Sequence, residues 1–382
     1  MSEIPVVSYK GALRVLFLIT YPIECASSRY RIYQYIGVLR QNNVHAHVSH
    51  IISTNLYKRK NLYGLFNTLV KLSLLSIDLL KRVFVCFTVF RYDVVVVHRE
   101  AFPFFTPLFE RIVKRFNSKM IFDFDDAIYT TPTHYPNWRD YLRNPANVAK
   151  ICEYASAITA GNTNLLNYAH RYNRNVFLLP TVYNVTTNEI QTKVNSDKSH
   201  NTVSIGWIGS WSTLKSLNVI KGALQKVAIR SPSVNLKIVG AQNIFDFVVE
   251  NMNIEYKLWN IKDEVSDIAS FDIGIMPIPD TEWERGKSSF KIIQYMTLGI
   301  PVIASPVGFN QVVIKNGKNG FLASTEDEWF EKLTTLIENK ELRESIGNAG
   351  KLTIKSDYSF EKNATTFLRI LRMVFEGNGE YA

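Results

Sequence analysis

Cysteine is scarce. Cys25, Cys86 and Cys152 are the only three in 382 residues, and no Cys-x-x-Cys pair occurs. That excludes a disulfide framework and a thiolate metal site of the usual spacing, and it points to a reducing compartment. No uncharged apolar run reaches the roughly 18 residues wanted for a spanning helix. The most apolar stretch, residues 62–90, is broken by Lys71, Asp78, Lys81 and Arg82. The first residues, MSEIPVVSYKG, lack an apolar core, so no signal peptide is expected. Neither a short repeat nor a low-complexity tract is present.

Acidic residues are scarce in one half only. Residues 1–185 hold 22 Lys/Arg against 11 Asp/Glu, whereas the remainder carries a net charge of −1 and the whole chain +10. The basic excess implies an anionic partner: nucleic acid, a membrane surface or a phosphorylated substrate. Its residues are not interleaved with aromatics as in a recognition motif, so no nucleic acid is expected. With 46% hydrophobic and 20% charged residues the chain is globular, and its length suits two or three domains of about 150 residues.

What is there is an α/β pattern. Short runs rich in Val, Ile or Phe end in small or polar residues and precede helical patterns. In the first half these are residues 13–20, 92–98, 119–124, 156–160 and 175–180. Residues 183–201 are polar and aperiodic and read as a linker. A second series follows at 202–209, 235–240, 254–259, 271–277 and 300–305. Near-continuous apolar strands of this kind are buried on both faces of a parallel sheet. The expected organisation is a first domain over 1–182, the linker, a second domain over 202–360 and a closing helix over 361–382. Ligands are expected beyond the carboxyl ends of such strands.

In the second half, residues 285–308 are the richest. Ser288 or Ser289 should cap a helix over about 289–298, which Gly299 and Pro301 end. Lys287, Lys291 and Gln294 then share one face near its N-terminus, where free N–H groups favour a phosphate. The alternative is a solvated lysine face. Upstream, Gly206 and Gly209 end a strand, and Ser210 or Ser212 opens a helix carrying Lys215. These glycines admit a phosphate or serve tight strand–helix packing; the Gly-x-Gly-x-x-Gly fingerprint is absent.

In the first half, Arg29 and Arg31 follow the first strand. They suit phosphate on donor or acceptor, or mark a surface helix start. His98, Arg99 and Glu100 end the next run, and a strand-end histidine serves structure as often as chemistry. Asp123, Asp125 and Asp126 end another, and Gly161-Asn162 a fourth. Asp125 or Asp126 suits orienting an acceptor hydroxyl or Arg99. Residues 62–90 place Leu69, Leu72, Leu75 and Leu79 at helical spacing. Lys58, Arg59, Lys60, Lys71, Lys81, Arg82 and Arg91 form a basic collar around them. Such a helix lies on anionic lipid or packs on a sheet.

The run LGIPVIASPVG followed by NGKNGFLA (316–323), with GWIGS and DIGIMPIPD, resembles the donor-binding core of family-four, GT-B-fold retaining glycosyltransferases of the bacterial envelope polysaccharide type. The resemblance is strong over about 200–350 and looser before it. It implies two Rossmann-like doubly wound domains facing a central cleft. It also implies a UDP- or GDP-linked sugar as substrate, no cofactor and no metal. Transfer would retain configuration, to a lipid-linked or polysaccharide acceptor at the inner face of a cell membrane. Taken with the residue patterns above, Arg29, His98, Asp125 and Asp126 are expected in catalysis. Gly209, Ser210, Lys215, Gly286, Lys287, Lys291 and Gln294 go to the donor, and Arg31, Arg99 and Asn162 to the acceptor. The family carries two glutamates eight positions apart, where this chain has Gly286 and Gln294. Asp123-Phe-Asp125 also matches the metal-binding DxD of GT-A enzymes, but those have one nucleotide-binding domain. A GT-B sugar epimerase and a catalytically lapsed scaffold remain the alternatives.

Overall fold

The structure is a computed structural model. It describes residues 11–59, 62–102, 106–132, 143–185, 202–240 and 247–377. The chain forms two compact units, one of residues 1–181 with 360–382 and one of residues 182–359.

The first unit holds a parallel six-stranded sheet in the order β2-β1-β3-β4-β5-β6. Its strands are β1 (Leu13–Ile19), β2 (Val44–His50), β3 (Val94–His98), β4 (Met120–Phe124), β5 (Ala157–Ala160) and β6 (Val176–Leu178). The central strands β3, β4 and β5 are buried at every position, and β1 at all but Arg14. That is why they read as continuous apolar runs. β2 was not expected. It is an edge strand whose exposed His45 and His47 hide it from an apolar-run reading.

The second unit repeats the plan, in the order β12-β11-β10-β7-β8-β9. Its strands are β7 (Ser204–Ile208), β8 (Asn235–Val239), β9 (Asn253–Lys257), β10 (Ile273–Met276), β11 (Val302–Ala304) and the two-residue β12 (Phe321–Leu322). A Cβ on Gly206 would lie 1.9 Å from the Phe271 ring, and one on Gly274 2.4 Å from Tyr295. Gly206 therefore serves tight packing. Of the expected linker, residues 186–201 lie outside the described residues.

The closing helix, Phe360–Glu376, packs back on the first unit. Phe367 meets Phe17 edge-on at 6.2 Å, and Arg372 Nη2 donates to the Asn42 carbonyl at 3.1 Å.

The helix expected in residues 62–90 runs Leu65–Phe87, with its faces reversed from the usual arrangement. Its buried residues are Asp78, Arg82 and Cys86. Arg82 Nη2 donates to the carbonyls of Ile19 (2.7 Å) and Ser49 (3.0 Å), and Asp78 accepts from the Ser53 amide at 2.9 Å. Arg82 thus leaves the expected basic collar. Leu69 and Leu72 of the leucine stripe are exposed, with Leu65, Phe66, Leu80 and Phe84, so these side chains do not pack on the sheet. Directional bonds to strand-end carbonyls fix this helix, which frees its apolar side chains from the core.

Candidate active site

Both sheets reverse their strand order once, between β1 and β3 and between β7 and β10. The crevice outside the carboxyl ends at such a point is where open α/β sheets bind ligands.

At the first reversal, Ser27 lies on the short helix Ala26–Arg31 that follows β1, and His98 ends β3. Ser27 Oγ is 2.8 Å from His98 Nε2 and donates to Asp125 Oδ2 at 2.7 Å. His98 Nδ1 is 2.7 Å from Asp123 Oδ2. The three groups form a hydroxyl–imidazole–carboxylate chain in which each link is within reach of proton transfer. Ser27 has one hydroxyl hydrogen for two neighbours. With it on Asp125, His98 donates from both nitrogens; with it on Nε2, the ring is neutral.

Asp123 is the anchor. Its carboxylate also accepts from Arg31 Nη2, from Arg31 Nε at 3.2 Å and from Thr159 Oγ1 at 2.6 Å. Burial alone would raise its carboxyl, but Arg31 and the His98 bond outweigh that and bring it down to about 2. Asp125 is buried as well. Arg99 ahead of His98 overrides the burial and holds it far below the usual carboxylate range. Arg99 Nε donates to Asp125 Oδ1 at 2.8 Å and Nη2 to Asp126 Oδ2 at 2.5 Å. Arg99 adopts a left-handed backbone, φ 62°, a strained state that persists only where the surroundings enforce it. The fork to the two aspartates and the bond from its amide to the Asp123 carbonyl (2.7 Å) enforce it here.

Three expectations need correction in their geometry. Arg31, expected on an acceptor, is buried, holds Asp123 and donates to the Leu179 carbonyl. Its place is beneath the site. Asn162 is fully buried and caps the helix Thr163–Ala169, accepting from Leu165 N at 3.0 Å. Arg29 is buried over the Tyr30 ring at 4.7 Å, with Nη1 on the Ile23 carbonyl at 3.2 Å.

At the second reversal, Gly209 follows β7, and the helix Phe290–Thr297 follows β10. A Cβ on Gly209 would lie 2.5 Å from the Trp207 ring, and Lys291 Nζ stands over that ring at 5.4 Å. Trp207 therefore links the glycine turn to the lysine. Lys287 pairs with Glu284 at 2.5 Å, a partner three residues away whose spacing signals the pairing. Gln294 Nε2 donates to Glu264 Oε1 at 3.0 Å, and Glu264 Oε2 accepts from Trp259 Nε1 at 2.6 Å. The Glu264 contact spans 30 residues and left no local trace in the sequence.

Ser289 takes the cap position, but with φ 54° and its hydroxyl on Asn310 Oδ1 at 2.6 Å, so its side chain does not cap the helix. Ser210 likewise precedes the helix Trp211–Leu214 without a side-chain cap; its hydroxyl meets Ser212 at 2.8 Å. Gly286 ends the helix Glu282–Arg285, and Lys215 is exposed.

Residues 202–339 match the model of the family Glycosyl transferases group 1. The chain is 27% identical over 164 residues to an uncharacterized glycosyltransferase, MJ1178, of Methanocaldococcus jannaschii, covering 41% of this chain and 44% of that protein. It is 22% identical over 187 residues to the capsular polysaccharide biosynthesis glycosyltransferase CapM of Staphylococcus aureus, covering 46% and 47%. The matches thus span about half the length of these curated relatives. Among solved structures, Anabaena Alr3699/HepE in complex with UDP and glucose superposes with a TM-score of 0.63 at 14% identity, covering 94% of this chain and 99% of that one. The sucrose-phosphate synthase of Thermosynechococcus elongatus gives 0.63 at 12%, covering 96% and 100%. The chain therefore has the GT-B fold of two Rossmann-like units, the second carrying a segment of the glycosyl transferases group 1 type.

Proposed function

We propose that this protein is a glycosyltransferase that moves a sugar from a nucleotide-diphosphate donor to a saccharide-bearing acceptor with retention of configuration. The observation that carries the reading is the second reversal point. There a glycine turn, the Trp207 ring and Lys291 meet inside the segment that matches the family. Lys291 and the N-terminal amides of its helix are the groups that stabilise charge on a leaving diphosphate. Lys287 adds to them in competition with Glu284.

Gln294 binds the ribose hydroxyls in this reading. Its amide nitrogen is engaged by Glu264, so its carbonyl oxygen is the group offered to a ligand. A glutamine held this way accepts as a carboxylate does. Gly209, Ser210 and Gly286 bring backbone close to the donor, and Lys215 reaches its outer phosphate.

In the first unit, His98 and Asp125 orient the reacting hydroxyl, with Arg99 and Asp126 locking Asp125 in place. Arg29 adds positive charge, and Asn162 fixes the loop beyond β5. Arg31 acts through Asp123. The anomeric C–O bond to the diphosphate breaks, the acceptor oxygen bonds to the same face, and its proton passes to the leaving phosphate. Asp123 and Asp125 already have arginine partners, so this chemistry is assigned to cations and helix amides, with no metal. The donor is a UDP- or GDP-sugar; the Anabaena neighbour holds UDP and glucose. The acceptor is a polysaccharide, as the name of the capsular relative suggests, or a lipid-linked saccharide met at the inner face of a membrane. The matches favour transfer over the epimerase and scaffold readings.

The test is thermal unfolding of the full chain with a panel of UDP- and GDP-sugars, followed by nucleoside diphosphate release with saccharide acceptors. At least one sugar nucleotide should raise Tm and be consumed with acceptor. No shift with any of them, or with UDP and GDP themselves, overturns the proposal.

A further inference from the structure

Two helices of the first unit present an unusual surface. Leu65–Phe87 has 23 residues, about 34 Å of helix. Its single acid, Asp78, is buried, and Leu65, Phe66, Leu69, Leu72, Leu80 and Phe84 are exposed. The helix Leu108–Phe116 repeats the pattern. Its single acid, Glu110, is fully buried, whereas Arg111, Lys114 and Arg115 are exposed beside Leu108 and Phe116. Phe87 meets Phe116 edge-on at 5.9 Å, so the two faces are continuous. Exposed Lys81 and Arg91 complete the rim. Neither helix shows water a carboxylate.

An apolar patch of this extent marks a site of association. Its charge selects the occupant. A cation rim with every acid withdrawn fits an anionic surface, and a helix with a broad apolar face seats in the headgroup region. Among the described residues no helix is long and apolar enough to cross a membrane, so this face would lie on the bilayer. We propose that the outer face of Leu65–Phe87 and Leu108–Phe116 docks on an anionic lipid bilayer. Arg82 ties the first helix to the carboxyl ends of β1 and β2, through Ile19 and Ser49. The first helix is thereby anchored at the sheet end that carries Ser27 and His98. The inference deepens the reading of a lipid-linked acceptor, although its evidence is independent of it.

The test is co-sedimentation of the full chain with phosphatidylcholine vesicles, with and without phosphatidylglycerol. Binding should require the anionic lipid, weaken with added salt, and fall about tenfold or more in Leu80→Glu/Phe84→Glu. Both residues are exposed, and circular dichroism checks the fold. Lys81→Glu/Arg115→Glu is the second variant and should lose the preference for anionic lipid. The inference is overturned if the wild-type chain stays in solution with anionic vesicles at low salt, or if both variants bind as wild type. It is also overturned if the chain self-associates through this face and ignores vesicles. Sugar-nucleotide stabilisation measured on the same preparations separates failure of the docking surface from failure of the transferase reading.

Discussion

Replacing Asp123 by asparagine exchanges one oxygen for an amide and keeps the shape. The four groups aimed at the carboxylate are Arg31 Nε and Nη2, Thr159 Oγ1 and His98 Nδ1. The three from Arg31 and Thr159 are donors, and the fourth donates in either proton arrangement of the His98 chain. An asparagine offers one acceptor and turns two hydrogens toward the rest. It also leaves the Arg31 guanidinium, whose side chain is 1% exposed, without its counter-charge. Breaking a buried pair in this way costs about 3–5 kcal/mol, a large share of the roughly 5–15 kcal/mol that holds a domain together. The pH dependence follows from the same carboxylate. It sits at about 2 against a usual 3.8, which is worth roughly 2–3 kcal/mol. A lowered carboxyl contributes stability that is present above about pH 4 and lost as pH falls toward about 2. Urea unfolding followed by circular dichroism at neutral and acid pH measures both effects. The Arg31→Met/Asp123→Leu double variant, which removes the pair together, should recover most of the loss. A loss below about 1 kcal/mol for Asp123→Asn at neutral pH, outside the range for a broken buried pair, would refute the anchoring role.

Glu110 gives the opposite pH signature. Burial pushes its carboxyl up to about 7, so stability is highest below about pH 4.5 and falls by roughly 3 kcal/mol as pH rises through 7. Glu110→Gln should flatten that slope in Tm measured from pH 5 to 8. Gly206→Ala would drive a methyl into the Phe271 ring and should cost about 1–3 kcal/mol or more in chemical denaturation. A chelator should leave sugar transfer intact. Its abolition by chelator and rescue by Mn²⁺ would return Asp123 and Asp125 to a metal-binding role.

The strands that are buried on both faces were legible because burial itself writes the apolar run. β2 was not, since an edge strand with exposed His45 and His47 has no such run. The Leu65–Phe87 helix was legible as a helix, but its spacing left open whether the leucine stripe faces lipid or a sheet, because periodicity does not say which side turns inward. Here Arg82 and Asp78 turn inward by bonding to backbone. The strand-end rule placed His98, Arg99, Asp125 and Asp126 together, and the Arg99–Asp125 contact was anticipated. Ser27, Thr159 and the anchoring role of Asp123 were not, because they depend on partners 25 to 98 residues away. Glu264 escaped notice for the same reason.

Calorimetric titration of the preferred sugar nucleotide into the wild-type chain, Lys291→Ala and Lys215→Ala tests the central claim most directly. Lys291 stands over Trp207 at the second reversal point, whereas Lys215 is exposed at its margin. Loss of a charge-assisted phosphate contact is worth about 1.5–3 kcal/mol. Lys291→Ala should therefore weaken binding about tenfold or more, with a smaller effect for Lys215→Ala. Near-wild-type affinity in both variants would contradict the assignment of the donor phosphates to this site.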